Sequence, residues 1–211
     1  MRYAANIMVS YGITGSVATG KSTVAQLFGD LGASVISADL IAHELMAPGT
    51  PLTESVCREF EQCCSKGSDG AWQIDRRSLA YHVFGNPEER LRLDSLTHPA
   101  IVQTITSRLA ILRDDGVPVA VVEIPLLFEA NLRDLVDYVI VASCQPATQF
   151  ERLDARGLEY AQSQRRVSAQ LPLVAKEALA DHVITTDGTI NEIKNQVQAI
   201  MSQIATDAGG E

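Results

Sequence analysis

The 211 residues carry 26 acidic against 17 basic side chains, a net charge of −9 and a pI near 4.9. That balance excludes a general nucleic-acid or anionic-membrane surface, so any anionic ligand must meet cations clustered locally. The length suffices to bury a full core as one α/β domain, with room for an inserted subdomain.

The first ten residues hold a single Arg and no long apolar core, and no apolar run is long enough to span a bilayer. Neither a secretory signal nor a membrane segment is therefore expected, and the expected location is cytoplasmic. Cys57, Cys63, Cys64 and Cys144 lack C-x-x-C spacing and a nearby histidine pattern, so reduced thiols are expected rather than a zinc site or a disulfide.

Ile7 to Ile13 is a short apolar run with β-branched residues and predicts a buried strand. It leads into Gly12-Ile-Thr-Gly-Ser-Val-Ala-Thr-Gly-Lys-Ser-Thr23, where Gly15, four residues, Gly20, Lys21 and Ser22 spell the phosphate loop G-x-x-x-x-G-K-S. Polyphosphate is held by converging backbone N–H groups, which needs glycine where the chain turns too tightly for a Cβ. Lys21 is expected to reach the β- and γ-phosphates and the Ser22 hydroxyl to ligate Mg²⁺. The nucleotide-binding residues are then Gly15, Ala18, Thr19, Gly20, Lys21, Ser22 and Thr23. A Gly/Ser-rich turn that happens to precede a lysine is the bland alternative. The flanks speak against it, because Lys21 to Leu31 puts Val24, Leu27, Phe28 and Leu31 on one helical face and Gly32 stops the helix.

Ala33 to Ser37 predicts a second strand, with Asp39 just past its carboxyl end and a helix over Leu40 to Met46. In open parallel sheets that edge bears the ligand crevice, so Asp39 either faces a ligand or caps the helix. Residues 47–116 contain no convincing strand. Helices are expected at Leu52 to Phe60, Asp75 to Phe84 behind an acidic cap, Pro87 to Ser95, and His98 to Asp115, where His98-Pro99 marks a helix start with Pro in the first turn. Lys66 to Ala71 is the clearest turn, and Trp72 is read as a packing residue. Such a helical excursion between strands is what an inserted substrate-binding subdomain looks like.

Val117 to Ile124 is the most strand-like segment and carries Glu123 near its end, an acid placed either for a magnesium shell or for neighbouring backbone. Val136 to Ala142 predicts a fourth strand. Beyond it Gln149, Arg152 and Arg156 share one helical face, and Arg165 and Arg166 complete a local cationic cluster. These arginines suit a transferring phosphoryl group, or else form a solvated face paired with Glu151, Asp154 and Glu159. Asp181 to Thr185 predicts a fifth strand. A closing helix over Thr189 to Ile204 lines Ile190, Ile193, Val197, Ile200 and Ile204 on one side, and residues 206–211 read as a frayed tail.

Taken in order, Gly12 to Ala25, Leu31-Gly32 with Ala38-Asp39, Asp75-Arg-Arg-Ser-Leu-Ala80, Val83-Phe84, His98-Pro99, Pro125-Leu-Leu-Phe-Glu129, Gln149-x-x-Arg152-Leu-x-x-Arg156 and Ala180-Asp181-His-Val-Ile184 resemble the dephospho-CoA kinase family over nearly the whole chain. The resemblance implies an α/β P-loop kinase fold with a five-stranded parallel sheet flanked by helices. It implies one domain over residues 1–211, with the core at about 1–45, 116–144 and 181–205, a CoA-binding helical insertion near 46–115 and a helical lid near 145–180. It also implies transfer of phosphate from ATP, with Mg²⁺, to the ribose 3′-hydroxyl of dephospho-CoA. The alternative is a nucleoside or nucleotide kinase of the same fold.

Under the resemblance, Lys21, Asp39, Arg152 and Arg156 are catalytic. Asp39, Arg77, His98 and Glu129 bind the acceptor, and Ser22 and Glu123 hold the metal. Ser16 and Ala18 stand where the family often has glycine, and Thr185-Thr186-Asp187 follows the fifth strand where an Asn is common. A monomer or small homo-oligomer is expected, with no nucleic-acid partner.

Overall fold

A computed structural model describes residues 8–207. In chain order the elements are β1 (Val9–Gly15), α1 (Lys21–Asp30), β2 (Ser34–Ser37), α2 (Ala38–Leu45), α3 (Pro51–Glu59), β3 (Cys64–Lys66) and β4 (Trp72–Ile74). They continue with α4 (Arg76–Phe84), α5 (Pro87–Asp114), β5 (Val119–Glu123), β6 (Tyr138–Ser143), α6 (Pro146–Asp154), α7 (Tyr160–Ser168), α8 (Leu173–Ala178), β7 (His182–Thr185) and α9 (Ile190–Asp207). Ile7, expected to open the first strand, lies outside the described residues, as do 208–211 of the expected tail and the side chain of Ile204; α9 itself runs on to Asp207.

The chain divides into two compact units, one made up to Ser37 and from Arg108 onward, the other from Ala38–Ser107. The second unit thus takes in α2 and ends inside α5, both boundaries falling earlier than the expected insertion at 46–115.

In the first unit five parallel strands pair in the order β2-β5-β1-β6-β7. The central strands are buried almost throughout because both faces of a parallel sheet are covered, β5 and β6 as nearly continuous apolar runs and β1 with Ser10 and Thr14 buried among its apolar residues. Val24, Leu27 and Phe28 of α1 and Ile193, Val197 and Ile200 of α9, spaced at helical intervals, pack with Tyr11, Ile13, Val121, Ile140 and Ile184 in one core. Ile190, expected on that face, is exposed at the first residue of α9, one turn short of the core.

The second unit departs from expectation in three ways. Cys64–Lys66 and Trp72–Ile74 pair as an antiparallel hairpin, so the stretch expected to lack strands has two. They are three residues each, too short to show alternation in sequence, and the expected turn joins them through the Gly67 N–H to Ala71 carbonyl bond. Cys57 and Cys64 form a disulfide rather than free thiols, because the turn at Glu61–Cys63 folds the end of α3 back beside β3. Cys63 and Cys144 remain free and buried.

Lastly, α5 runs unbroken through Pro99, where a helix start was expected. Proline at this position removes one backbone hydrogen bond, to Ser95, and the turns on either side carry the helix across it. Elsewhere the acidic cap holds as read, Asp75 accepting the N–H groups of Arg77 and Ser78 at 3.0 and 3.1 Å. Thr50 caps α3 ahead of Pro51.

Candidate active site

The phosphate loop leaves β1 at the centre of the sheet, between β5 and β6, and ends in the first turn of α1. Strand order reverses there, and the loop lies at the carboxyl edge where open α/β sheets bind ligands. Glycine is needed at both of its ends. At Gly15 (φ 149°) a Cβ would come within 2.4 Å of the Ala142 carbonyl oxygen, and Gly20 takes up φ 88° against Thr186.

The Ser16 carbonyl organises the turn, accepting from Thr19 Oγ1 at 2.9 Å and from Lys21 Nζ at 2.8 Å. The Lys21 ammonium is thereby folded over the loop whose N–H groups and helix N-terminus form an anion cradle. Ser22 opens onto solvent in the first turn of α1 and donates its hydroxyl to Glu123 Oε1 at 2.6 Å. Glu123 ends β5 and pairs in register with Ile13 of β1, which is how two residues a hundred positions apart meet. Thr23 is exposed beside them.

Gln149, Arg152, Gln170 and Lys176 of the 145–180 stretch grip the loop from outside, Lys176 through the Gly15 carbonyl at 3.2 Å. Gln149 donates Nε2 to Ser16 Oγ (3.0 Å) and to the Val17 carbonyl (2.7 Å). Gln170 accepts at Oε1 from Ser16 Oγ (3.0 Å) and from the Val17 N–H (2.9 Å). Ser16 therefore donates to one glutamine and accepts from the other. Arg152 reaches the Ala18 carbonyl at 3.3 Å and Thr186 Oγ1 at 3.0 Å, and also bonds the Thr186 carbonyl. Ala18 has φ 61°, a conformation costly for a residue with a Cβ, and its carbonyl is held there by this arginine. Buried Thr186 ties the cradle to β6, its one hydroxyl hydrogen shared between the Thr19 carbonyl at 2.8 Å and the Ser143 carbonyl at 3.1 Å.

Of the residues singled out in the sequence, Gly15, Ala18, Thr19, Gly20, Lys21, Ser22, Thr23, Glu123 and Arg152 come together in this unit. Arg156, one turn on from Arg152, is exposed just beyond α6. Glu129 follows β5, and its Oε1 accepts from Lys176 Nζ at 2.8 Å and from the Leu171 N–H at 3.0 Å. Partial burial raises the Glu129 carboxyl, but the hydrogen bonds from Lys176, from its own N–H and from Leu171 outweigh that and leave it below the ordinary glutamate value.

The remaining three lie in the second unit. Asp39 is exposed in the first turn of α2, inside the helix rather than at its cap. Arg77 is exposed at the start of α4. His98 Nε2 lies 3.5 Å from Asp94 Oδ1, one turn back in α5.

Sequence reasoning missed Gln170 and Lys176. Neither carries a local signal, since a glutamine in the bend after α7 and a lone lysine in the short helix α8 read as solvated side chains until the sheet brings the loop beside them. Among the described residues no group of three or more His, Cys, Asp or Glu could hold a metal, and no helix is long and apolar enough to cross a membrane.

The family model described as dephospho-CoA kinase matches residues 9–192. The dephospho-CoA kinase of Bacillus thuringiensis subsp. konkukian is 40% identical over 196 residues, covering 92% of this chain and 96% of the relative. That of Syntrophotalea carbinolica is 38% identical over 200 residues, covering 93% and 92%. Among solved structures, a Thermus thermophilus protein superimposes with a TM-score of 0.80 at 28% identity, covering 93% of this chain and 97% of that one. Dephospho-CoA kinase from Campylobacter jejuni gives 0.71 at 25% identity, covering 95% and 99%. Shikimate kinase from Bacteroides thetaiotaomicron, at 15% identity and a TM-score of 0.53, shares the P-loop kinase fold. With the family model spanning most of the chain and relatives near 40% identity matching almost end to end, the chain belongs to the dephospho-CoA kinase family.

Proposed function

We propose that this chain transfers the γ-phosphoryl group of ATP to the ribose 3′-hydroxyl of dephospho-CoA, giving coenzyme A and ADP, the last step of CoA biosynthesis. The observation that carries the donor half is the glycine-ended loop at the centre of a parallel sheet, with the Lys21 ammonium folded over it and a Ser22–Glu123 pair beside it. The protein's work is positioning and charge neutralisation, since phosphoryl transfer needs little covalent help.

The loop from Gly15 to Thr23 holds the phosphates and Lys21 supplies charge to the β- and γ-oxygens. Ser22 and Glu123 would hold Mg²⁺. A hydroxyl and a carboxylate oxygen brought together at 2.6 Å are oxygen donors of the kind a hard cation takes. The cation they hold would supply positive charge that offsets the negative charge of the ATP phosphates. Asp39 orients or deprotonates the acceptor hydroxyl. Arg77 and His98 bind the acceptor's anionic and polar groups, and Glu129 serves the acceptor side while Lys176 engages its Oε1. Arg152 exchanges its bonds to Thr186 and Ala18 for the transferring group, and Arg156 joins it, with lid closure excluding water as a competing acceptor. The reading is of a cytoplasmic monomer or small homo-oligomer.

An assay that couples ADP release to a panel of acceptors tests this. ADP should form with dephospho-CoA and not with nucleosides or nucleotides; turnover of a nucleotide acceptor in its place would make the chain a different kinase of the same fold.

The lid is expected to open and close over a limited stretch. Gln149 and Arg152 at one end and Gln170 and Lys176 at the other are bonded to the phosphate loop, so opening should centre on the α6–α7 connection and α7. Hydrogen exchange there should slow when ATP and acceptor are both added. Unchanged exchange would overturn the lid reading and leave exposed Arg156 as ordinary solvated surface.

A further inference from the structure

Lys176 is a lysine with no solvent exposure at all, although it belongs to the short helix α8. Lysine is almost never fully buried unless paired. Its ammonium has three N–H donors, and three acceptors lie within reach. These are Glu129 Oε1 at 2.8 Å, the Gly15 carbonyl at 3.2 Å and the Pro125 carbonyl at 3.3 Å. Two of them belong to the reaction's scaffold: Gly15 is the first residue of the phosphate loop, and Pro125 opens the segment that follows Glu123 and Ile124. The Pro125 carbonyl also accepts from Thr14 Oγ1 at 3.1 Å, so β1 and the chain beyond β5 meet on it.

Peptide planarity gives the Gly15 contact its consequence. The Gly15–Ser16 peptide is trans, so fixing the carbonyl on Lys176 turns the Ser16 N–H to the opposite side. Glycine at φ 149° leaves that plane free to rotate by its own chemistry, and a rotation would aim a carbonyl oxygen where polyphosphate must sit. The charge on Lys176 opposes it. Burial of the ammonium is made tolerable by Glu129, which is itself tied to α8's approach through the Leu171 N–H. Beside it Glu177 bonds Ser143 Oγ at the end of β6, so α8 is seated on the sheet by two successive residues.

We propose that Lys176 is a positioning residue for ATP, holding the entry peptide of the phosphate loop in its phosphate-accepting orientation from the far end of the lid segment. The inference rests on the loop's role as the ATP site, and its test reads ATP binding separately from acceptor turnover.

The variant to make is Lys176→Met/Glu129→Gln, which removes the cation and the charge it neutralises together and so avoids an unpaired buried ion. ATP affinity, titrated without acceptor, should weaken about tenfold or more, the loss expected for a charge-assisted hydrogen bond to the loop, and the KM for ATP should rise with it. The reading is ATP binding without acceptor and not the KM for dephospho-CoA, since the variant also changes Glu129, which is placed on the acceptor side and paired with Lys176. If the double variant melts like wild type and binds ATP within about twofold of it, Lys176 is only a core ion pair and the proposal fails.

Should the double variant not fold, Lys176→Gln takes its place. Its shorter amide has two donors and cannot serve three acceptors, so ATP binding weakened in the absence of acceptor, with melting like wild type, supports the proposal and unchanged ATP affinity overturns it. Wild-type turnover with dephospho-CoA, measured alongside, reports on the substrate reading independently of either outcome.

Discussion

Lys21→Ala should lower kcat by about 10² to 10³ and raise the KM for ATP, the range seen when one preorganised charge-stabilising donor is removed. The fold should not suffer. In the structure the Lys21 ammonium bonds the Ser16 carbonyl, but that oxygen also accepts from Thr19 Oγ1, so the loop keeps its internal brace. Lys21 is moreover the first residue of α1, where a cation opposes the helix dipole, and alanine there is neutral or slightly stabilising. Thermal melting within a few degrees of wild type, together with the kinetic loss, is the expected pair of results. Activity within about threefold of wild type would remove Lys21 from the phosphates and with it the basis for reading this loop as the donor site.

The donor loop was legible because the chemistry leaves few ways to build it. Backbone cradling of phosphate requires glycine at Gly15 and Gly20, and the lysine and serine follow at fixed offsets, so strand, loop and helix could be read from one stretch. Glu123 was legible for the related reason that an acid ending the most apolar strand is conspicuous. What surrounds the loop was not. Gln170 and Lys176 act at a distance of more than 150 residues along the chain, and neither a glutamine in the bend between α7 and α8 nor a lone lysine in the short helix α8 carries a sign that it will be packed against the phosphate loop.

The misreadings in the second unit have local causes. Pro99 does stop many helices, but flanking turns outweighed one lost hydrogen bond. The hairpin strands are too short for a period to show. The Cys57–Cys64 pair is made by a turn whose course depends on Phe60 and Cys63 packing with Val56 and Leu79, a tertiary fact.

Asp39→Asn separates chemistry from helix stabilisation. Asp39 lies within the first turn of α2, so its charge favours the helix N-terminus, and replacing it by the isosteric amide should cost only about 0.3 to 1 kcal/mol. It is exposed, so no buried bond is broken by the change. If Asp39 orients or deprotonates the ribose hydroxyl, removing the charge and the proton-accepting oxygen should lower kcat by about 10² to 10⁴, the contribution of a positioned general base. The loss should fall on kcat and much less on the KM for ATP, because donor binding belongs to the phosphate loop. Lys21→Ala differs in raising the KM for ATP as well, so the two variants distinguish the acceptor and donor sides of one reaction. An Asp39→Asn enzyme that turns over dephospho-CoA within about threefold of wild type, far short of a general base's contribution, would return Asp39 to the helix dipole and leave the acceptor hydroxyl to be activated by another group.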